Sequence, residues 1–292
     1  MALPKLKKIE GVIAVWKSVL GMIASEPKIL LPFAVLGAIE TISLYILSCS
    51  PHFPFNFVLG PPIRRIWGEG YLHYPYFYEL LPKMFYYAKI VLGIFVGSLA
   101  SGMAVYGVFS LKNKETLDFK KIFKKVWKRY LSLCLLAVIL YAAVHFLMKQ
   151  PMSLLINFFR VHPKLLFLGP KFWLAYFMPV FNFILAIILQ GLFAYAIPYV
   201  VITGKKFVPA LLLGIRLFFR LIVKTILVVA LPMCIYIPIT MLRDNLGFIS
   251  NAFFPEAVGF VLFLGILVGT VVIDSFITIA TTLIFIEATH EK

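Results

Sequence analysis

Six long apolar segments, separated by basic stretches, constrain this chain more than any other feature of its sequence. A helix needs about 20 apolar residues to cross a bilayer, and each segment reaches about that length. Because backbone N–H and C=O groups cannot go unpaired in lipid, each crossing is predicted to be helical. The predicted spans are 29–48, 88–110, 130–148, 175–202, 221–241 and 258–288.

The composition excludes an ordinary soluble protein. Hydrophobic residues make up 62% of the 292 residues and charged residues 14%, against about 45–50% and about 25% in typical soluble domains. The net charge of +16 alone suggests nucleic acid, but the cations lie between apolar segments, so no nucleic-acid partner is expected. The sequence predicts an all-α polytopic membrane protein, with one integral membrane domain over residues 1–292. Its expected form is a six-transmembrane-helix bundle with basic amphipathic cytoplasmic helices.

The distribution of lysine and arginine predicts the orientation of the chain. Nineteen of these residues fall on the side of the two termini, and nine, among them Lys89, fall on the opposite side. Positive charges accumulate on the cytoplasmic side of membrane proteins. We therefore expect a multi-pass protein of the cytoplasmic (plasma) membrane with both termini in the cytoplasm.

The basic stretches recur with the spans. A basic segment that favours a helix precedes each odd-numbered span, at 12–23, 119–130 and 207–220. Two outer connectors also share a short pattern, FVLGP at 57–61 and LFLGP at 166–170. Internal repeats are frequent in membrane proteins, so these similarities predict three two-span units packed as one bundle. Chance similarity between such short motifs is the alternative.

The sequence contains none of the short motifs that mark common enzymes. It lacks H-E-x-x-H, G-x-S-x-G and the phosphate-binding loop G-x-x-x-x-G-K-[ST]. Three widely spaced cysteines make neither a disulfide framework nor a zinc site. No catalytic residue, metal ligand or cofactor is predicted, and an enzyme is the less expected class of function.

Two carboxylates inside the predicted spans are the most informative residues. Glu40 lies about midway along the first span and Asp274 about midway along the sixth. A carboxylate at that depth costs about 2.5–3.5 kcal/mol on insertion scales, so both are expected to face the bundle interior. Two interpretations stay open. One is a site for proton or cation coupling, with His145 as a weaker member; the other is a pair of structural acids bonded to neighbours such as Thr41 and Ser275.

The segment 119–130 has the clearest amphipathic pattern. Apolar and aromatic residues recur at helical spacing from Phe119 to Tyr130, and cations fill the other positions. This pattern predicts a helix lying in the membrane surface, where anionic headgroups attract each nearby cation by about 1 kcal/mol. Charge that serves only to orient the chain is the alternative. The cations assigned to anionic-lipid contact are Lys120, Lys121, Lys124, Lys125, Lys128 and Arg129.

Three further cations, Arg216, Arg220 and Lys224, step by four residues. This spacing predicts one cationic stripe on a helix that leads into the fifth span. Snorkelling toward the headgroups is one interpretation. A groove that recognises phosphate is the other, because arginine suits bidentate phosphate contact.

Small and aromatic residues mark two more features. Gly93, Gly97 and Ser101 form a small-residue face in the second span, and Gly265 and Gly269 form another in the sixth. Such faces permit close helix contact, which we expect within this chain rather than between two copies. The connector 49–87 is long and rich in tyrosine. It predicts an interfacial aromatic belt, with a lid over a cavity as the alternative.

A family resemblance follows from several of these stretches. They are Trp16 with EPKILLP at 26–32, and AIPYVV at 196–201 followed by GKK at 204–206. In these stretches the chain resembles a broad group of uncharacterised six-span membrane proteins. That group includes the membrane domain fused to some glycerophosphodiester phosphodiesterases. The resemblance implies the six-span fold. It does not imply the phosphodiesterase activity, because the chain has no room for a separate soluble domain, and Ile202–Thr203 replaces the group's usual acid before the Gly-Lys turn.

These observations lead to three hypotheses of function. The first is a non-enzymatic membrane scaffold or accessory protein that engages anionic lipid or a membrane-protein partner. The second is a small-solute or ion-coupled transporter that uses the intramembrane carboxylates, and the third is an intramembrane lipid enzyme. A central cavity that contains both carboxylates favours transport, a dry and tightly packed core favours the scaffold, and a cluster of histidines and acids favours the enzyme.

Overall fold

The computed structural model describes residues 4–161, 178–248 and 254–290, and no strand occurs in these ranges. The predicted all-α membrane fold is confirmed. In chain order the helices are α1 (Pro4–Ser25), α2 (Leu31–Ser48), α3 (Phe55–Ile66), α4 (Phe77–Leu92), α5 (Ser98–Lys112), α6 (Phe119–Trp127), α7 (Tyr130–Val161), α8 (Met178–Phe193), α9 (Ala196–Val201), α10 (Phe207–Arg220), α11 (Ile222–Ile235), α12 (Ile237–Asp244), α13 (Ala257–Gly265) and α14 (Ser275–His290). The second copy of the connector pattern, at 166–170, lies outside the described residues.

Five stretches of helix are long and apolar enough to cross a membrane: Pro27–Ser48, Phe77–Lys112, Tyr130–Leu147, Val180–Val201 and Ala257–Thr289. A sixth crossing is present if α10 and α11, which meet at an angle of 94°, count as one broken span. The chain is therefore a multi-pass membrane protein. Six segments are numbered below: α2 is the first, α4 with α5 the second, α7 the third, α8 with α9 the fourth, α11 the fifth, and α13 with α14 the sixth.

The second segment starts earlier than the sequence predicts. The expected start is Ala88, whereas a continuous helix of 36 residues runs from Phe77 to Lys112. At about 1.5 Å per residue this helix is about 54 Å long, which exceeds the hydrocarbon core of about 30 Å. The helix extends beyond the predicted span because a lysine inside an apolar run interrupts no backbone hydrogen bond. Lys89 therefore lies within the helix rather than at its edge.

The fifth segment is also different from the prediction. The sequence predicts one span over 221–241, but the helix divides at Tyr236 into α11 and α12. Pro238 lies at the start of α12. A proline has no backbone N–H and its ring crowds the preceding turn, so a helix breaks readily before it.

The helix contacts repeat three times around the bundle. The first segment packs against the second and sixth, the third against the second and fourth, and the fifth against the fourth and sixth. The second segment contacts both the fourth and the sixth, and the Tyr199 and Phe285 rings, 4.8 Å apart, join the fourth to the sixth. The even-numbered segments therefore meet at the centre, as expected for three two-span units packed as one bundle.

The short helices before the odd-numbered segments follow the same arrangement. Helix α6 packs on α5, α10 packs on α8 and α9, and α1 packs on α11 and α14. Each unit thus begins with a helix that lies against the preceding unit, and the first unit closes on the third. These three helices define what we call the terminal end of the bundle. The opposite end, which carries α3 and α12, is the connector end.

Two π-helices interrupt the central segments. They are Gly93–Gly97 in the second segment and Ile266–Asp274 in the sixth. The small residues of these stretches contact other helices of the same chain: Gly93 lies against Tyr141 of α7, and Gly269 against Tyr236. Short π-helical stretches occur frequently at functional sites, and both of these border the cavity described next.

Candidate functional site in the central cavity

Glu40 belongs to a cluster that joins three segments. Its side chain is buried, with 1% of the residue exposed. Thr270, in the π-helix of the sixth segment, donates a hydrogen bond from Oγ1 to Glu40 Oε2 at 2.7 Å. Lys89 Nζ lies 3.5 Å from the same oxygen and donates to Thr270 Oγ1 at 3.1 Å. The first, second and sixth segments are therefore linked by one closed triangle of polar side chains.

The triangle satisfies a carboxylate that would otherwise be costly. Removing an ion from water costs several kcal/mol unless a counter-ion and hydrogen bonds replace the water. Lys89 provides the opposite charge and Thr270 provides a hydroxyl donor. The Lys89 side chain is 35% exposed, so the cluster has one buried member and one partly exposed member.

Asp274 follows Thr270 at the end of the same π-helix. It interacts electrostatically with Lys89 and with Glu40. Within the part of the chain that the structure describes, its carboxylate makes no hydrogen bond and no ion pair. Two acids therefore share one lysine, and only Glu40 is in direct contact with it.

Both acids and Lys89 line a cavity of about 230 Å³ in the middle of the bundle. All segments except the fifth contribute to its lining. A water molecule in liquid water occupies about 30 Å³, so the cavity has room for several water molecules or for a small solute. Most of the wall is apolar, and further polar groups are distributed over it: Ser98, Ser101, Tyr141, Gln190, Thr278 and Thr281.

Tyr141 enters the cavity wall because Gly93 has no side chain. A methyl group on Gly93 would overlap the hydroxyl and the ring of Tyr141. The Tyr141 side chain interacts electrostatically with both acids, and more strongly with Asp274 than with Glu40. The small-residue face of the second segment thus makes room for a phenol in the cavity wall that Asp274 also lines.

Two predicted hydrogen-bond partners of the acids bond elsewhere, and the predicted third member of the site lies outside the cavity. The Thr41 hydroxyl donates to the Gly37 carbonyl at 2.8 Å, and Ser275 donates to the carbonyls of Val271 and Val272. These hydroxyls bond to their own helices because a serine or threonine reaches the preceding turn. His145 lies on an exposed part of α7 and does not line the cavity. It is therefore not a member of the cluster.

Lys89, Thr270 and Tyr141 are the members of the site that the sequence analysis missed. Lys89 carried a usable signal, because it stands inside the apolar run that continues from Phe77 to Leu92. Thr270 and Tyr141 carry no such signal. Threonines and tyrosines are common in these segments, and only the packing of helices selects the two that approach the acids.

The predicted cationic helix is present as α6, and its apolar side is divided. Ile122 and Val126 are buried in the protein, whereas Phe123 and Trp127 are 42% and 53% exposed. The Trp127 ring stacks on Phe123 and on Tyr130, at centroid distances of 5.4 and 4.8 Å. Only the outer part of the predicted apolar stripe therefore faces away from the protein.

Several cations of α6 have partners within the protein. Lys125 contacts the hydroxyl and the ring of Tyr106, and Arg129 donates to the Gly204 carbonyl at 2.6 Å. Asp118 caps the helix by accepting from two backbone N–H groups, and the hydrogen bond from Lys121 N–H is the main cause of its lowered pKa. Three exposed lysines at four-residue spacing make no ion pair among the described residues: Lys120, Lys124 and Lys128.

The predicted stripe of Arg216, Arg220 and Lys224 is wrong. The helix that carries the two arginines ends at Arg220, and the chain then turns by 94° into α11. Lys224 pairs with Glu287 at 3.1 Å, while both arginines interact electrostatically with Tyr199. The four-residue spacing fails because it assumes one straight helix across Leu221.

The aromatic connector forms α3 and the start of α4 at the connector end. Its rings are largely exposed, among them Phe53, Phe57, Tyr74 and Tyr87. None of its described residues lines the central cavity. The arrangement gives no support to a lid over that cavity, and the aromatic belt stays a prediction.

No group of three or more histidine, cysteine, aspartate or glutamate side chains suited to hold a metal ion occurs among the described residues. Comparisons with protein-family models, with characterised proteins and with solved structures give no match for this chain. The resemblance to the membrane domain fused to some glycerophosphodiester phosphodiesterases therefore stays a prediction from the sequence.

Proposed function

We propose that this protein moves a small solute or ion across the membrane and couples the movement to Glu40 and Asp274. One observation carries the proposal: both intramembrane carboxylates and Lys89 line the same central cavity. Ionisable groups inside a membrane domain are costly, and they commonly mark ion and proton pathways. A scaffold needs no such cavity, so the geometry favours the transport hypothesis over the scaffold hypothesis.

The charges of the cluster provide a reason for coupling. Two carboxylates share one ammonium group, so the ionised cluster carries one uncompensated negative charge. A proton or a small cation that enters the cavity neutralises this charge. Because an uncompensated charge is expensive at this depth, loading and unloading the cluster change the energy of the surrounding helices, as a transport cycle requires.

A double substitution tests the proposal in cells. Glu40→Gln combined with Asp274→Asn keeps the size of both side chains but cannot release a proton. We expect the double variant to be present at normal abundance and to fail to complement a strain that lacks the gene. Glu79→Gln is the matched control, because Glu79 is an exposed acid outside the cavity. Full complementation by the double variant at normal protein level contradicts the transport hypothesis.

A second function, contact with anionic lipid, is supported by α6. We propose that the stacked rings of Phe123, Trp127 and Tyr130 lie at the membrane surface while the adjacent lysines attract anionic headgroups. This role is compatible with transport and retains the lipid-binding part of the scaffold hypothesis. A membrane-protein partner has no specific observation in its favour.

Lipid that co-purifies with the full-length protein tests the second function. Replacing Lys120, Lys124 and Lys128 together by glutamine removes three of about six nearby cations, each of which contributes about 1 kcal/mol. We expect at least several-fold less bound anionic lipid at low salt, and a smaller difference from the wild-type protein at high salt, because salt screens the lysine charges. The same change at Lys112, Lys205 and Lys206, exposed lysines at the same end, is the control. Equal lipid content in both triple variants contradicts the proposal.

We also propose that the protein lies in the cytoplasmic membrane with both termini in the cytoplasm, as the distribution of cations favours. Single cysteines at Lys114 and at Tyr74, in a chain without the three native cysteines, test this orientation. We expect an impermeant thiol reagent added to intact cells to label only the cysteine at Tyr74. Labelling of both positions, or of Lys114 alone, contradicts the orientation.

A further inference from the structure

Lys89 lines two cavities. Besides the central cavity, it borders a cleft of about 360 Å³ on the connector side, which we call the connector cleft. The cleft lies between three elements: α4, α13 and the region around α12. The triangle of Lys89, Glu40 and Thr270 therefore stands between a cleft that faces one end of the bundle and a cavity that extends toward the other end.

Basic side chains and tyrosines line the connector cleft. Lys83, Lys89 and Arg243 line it, together with the tyrosines Tyr86, Tyr87 and Tyr236. No aspartate or glutamate is found among the described residues of its lining. A cleft lined by one sign of charge concentrates ions of the opposite sign, and tyrosine hydroxyls are suitable donors to anionic oxygens.

An anion can replace Glu40 as the partner of Lys89. The Lys89 Nζ lies 3.5 Å from Glu40 Oε2, longer than the about 2.7–2.9 Å of a strong charge-assisted hydrogen bond. The shorter contact of Lys89 is to the neutral hydroxyl of Thr270. Since the lysine side chain is 35% exposed, an anion in the cleft can reach the ammonium group without unfolding the site.

We propose that the connector cleft binds a small oxyanion, a carboxylate or a phosphate, which takes Lys89 from Glu40 so that Glu40 gains a proton from water as the anion binds. The coupled uptake of one singly charged anion and one proton leaves the net charge of the cluster unchanged. The fate of the bound anion rests on the proposed transport function, but its binding does not.

The groups around Glu40 make the proton uptake necessary. Lys89 of the second segment is the cation in contact with it, and Asp274 of the sixth segment and Tyr141 of the third are the other titratable side chains that interact with the cluster. Once an anion holds Lys89, Glu40 faces another acid and a neutral phenol. A carboxylate in that environment is costly unless it is protonated.

Anion-dependent thermal stabilisation of the purified full-length protein tests the proposal. Acetate and inorganic phosphate are the soluble probes, and short-chain phosphatidylglycerol, compared with phosphatidylcholine, tests a lipid headgroup as the source of the anion. We expect at least one of the three anions to stabilise the wild-type protein. Lys89→Met should lower the affinity for that anion at least tenfold. Lys112→Met, at the other end of the same helix, should leave the affinity unchanged.

The pH dependence tests the exchange at Glu40. Acetate stays ionised between about pH 6 and about pH 8, so a change in its affinity there reports protons taken up by the protein. We expect the affinity of the wild-type protein for acetate to fall by up to tenfold for each unit by which the pH rises, because one proton is taken up on binding. Glu40→Gln, which leaves Lys89 without a competing charge, should bind more tightly and show no pH dependence. Asp274→Asn should keep the dependence.

Several results overturn the proposal: no anion stabilises the protein, the wild-type affinity is independent of pH, or Asp274→Asn abolishes the dependence instead of Glu40→Gln. If Lys89→Met fails to fold, Lys83→Met takes its place, because Lys83 lies at the rim of the cleft and outside the triangle. It should weaken binding several-fold. If the anion binds but the variants at Glu40 and Asp274 complement fully, this inference stands and the proposed transport function fails.

Discussion

The two carboxylates line the same cavity from adjacent segments, yet their surroundings differ. Glu40 is buried, accepts a hydrogen bond from Thr270 and pairs with Lys89. Asp274 lies at the end of the π-helix that carries Thr270, and among the described residues it has no direct partner. The difference teaches that a place in the cavity wall alone does not assign a role. Glu40 holds three segments together, while Asp274 remains available to the cavity.

Lys89→Met has the largest expected effect on this comparison. The substitution leaves Glu40 buried without a cation, and breaking a buried pair in this way costs about 3 kcal/mol. Partial exposure of Lys89 places the cost at the lower end of the known range. Thermal unfolding in detergent measures the loss. The double variant Lys89→Met/Glu40→Gln should recover most of it, and Lys83→Met should cost little. A double variant as unstable as the single one contradicts the assignment of the pair.

Gly93→Ala has the next largest expected effect, and it acts on the Asp274 side of the cavity. The added methyl group overlaps the Tyr141 hydroxyl and ring, and such overpacking costs about 1–3 kcal/mol. Gly97→Ala is the matched control, because its methyl group would meet Leu36 at an ordinary distance of 3.6 Å. Comparing the two unfolding temperatures tests the close approach of Tyr141. Equal stability of the two variants rules it out.

The sequence predicts the fold class well because bilayer physics leaves few choices. Apolar length and the need to pair every backbone group specify helices. The same reasoning fails where the path of a helix departs from the pattern. The predicted second span begins at Ala88 although the helix begins at Phe77, and a stripe from Arg216 to Lys224 requires a straight helix across Leu221. Local periodicity contains no information about where a helix stops for reasons of packing.

The candidate site is predictable only in part. Glu40 and Asp274 are identified by the cost of charge in lipid, and both line the central cavity as an inward orientation requires. Their partners come from other segments: Lys89 is 49 positions from Glu40 and Thr270 is 230 positions away. Such contacts depend on the way six segments pack, and no pattern within one segment specifies them.

Glu40→Gln sharpens the comparison with a smaller effect. A glutamine retains an oxygen that accepts from Thr270, but it removes the charge that Lys89 faces. Because Lys89 is partly exposed and water replaces part of the lost contact, we expect a loss of about 1 kcal/mol, the size of an ordinary hydrogen bond and less than that of one to a charged group. Unfolding temperature at neutral pH gives the measurement. A loss as large as that of Lys89→Met would show that water does not replace the Glu40 contact and that Lys89 depends on Glu40 as strongly as Glu40 depends on Lys89.

Asp274→Asn has the smallest expected effect on stability, and its sign separates the two acids. The carboxylate gives up no direct hydrogen bond or ion pair among the described residues, so the substitution breaks no contact. It removes both the attraction to Lys89 and the repulsion from Glu40, which offset each other in part, and it removes the cost of a charge in the cavity wall. We expect a change within about 0.5 kcal/mol, or a small gain, when unfolding is followed at neutral pH beside Glu40→Gln. A loss larger than that of Glu40→Gln would reverse the comparison, because Asp274 would then be the acid that holds the bundle together. Loss of complementation by Asp274→Asn at unchanged stability would show that an acid without a structural role is required for function.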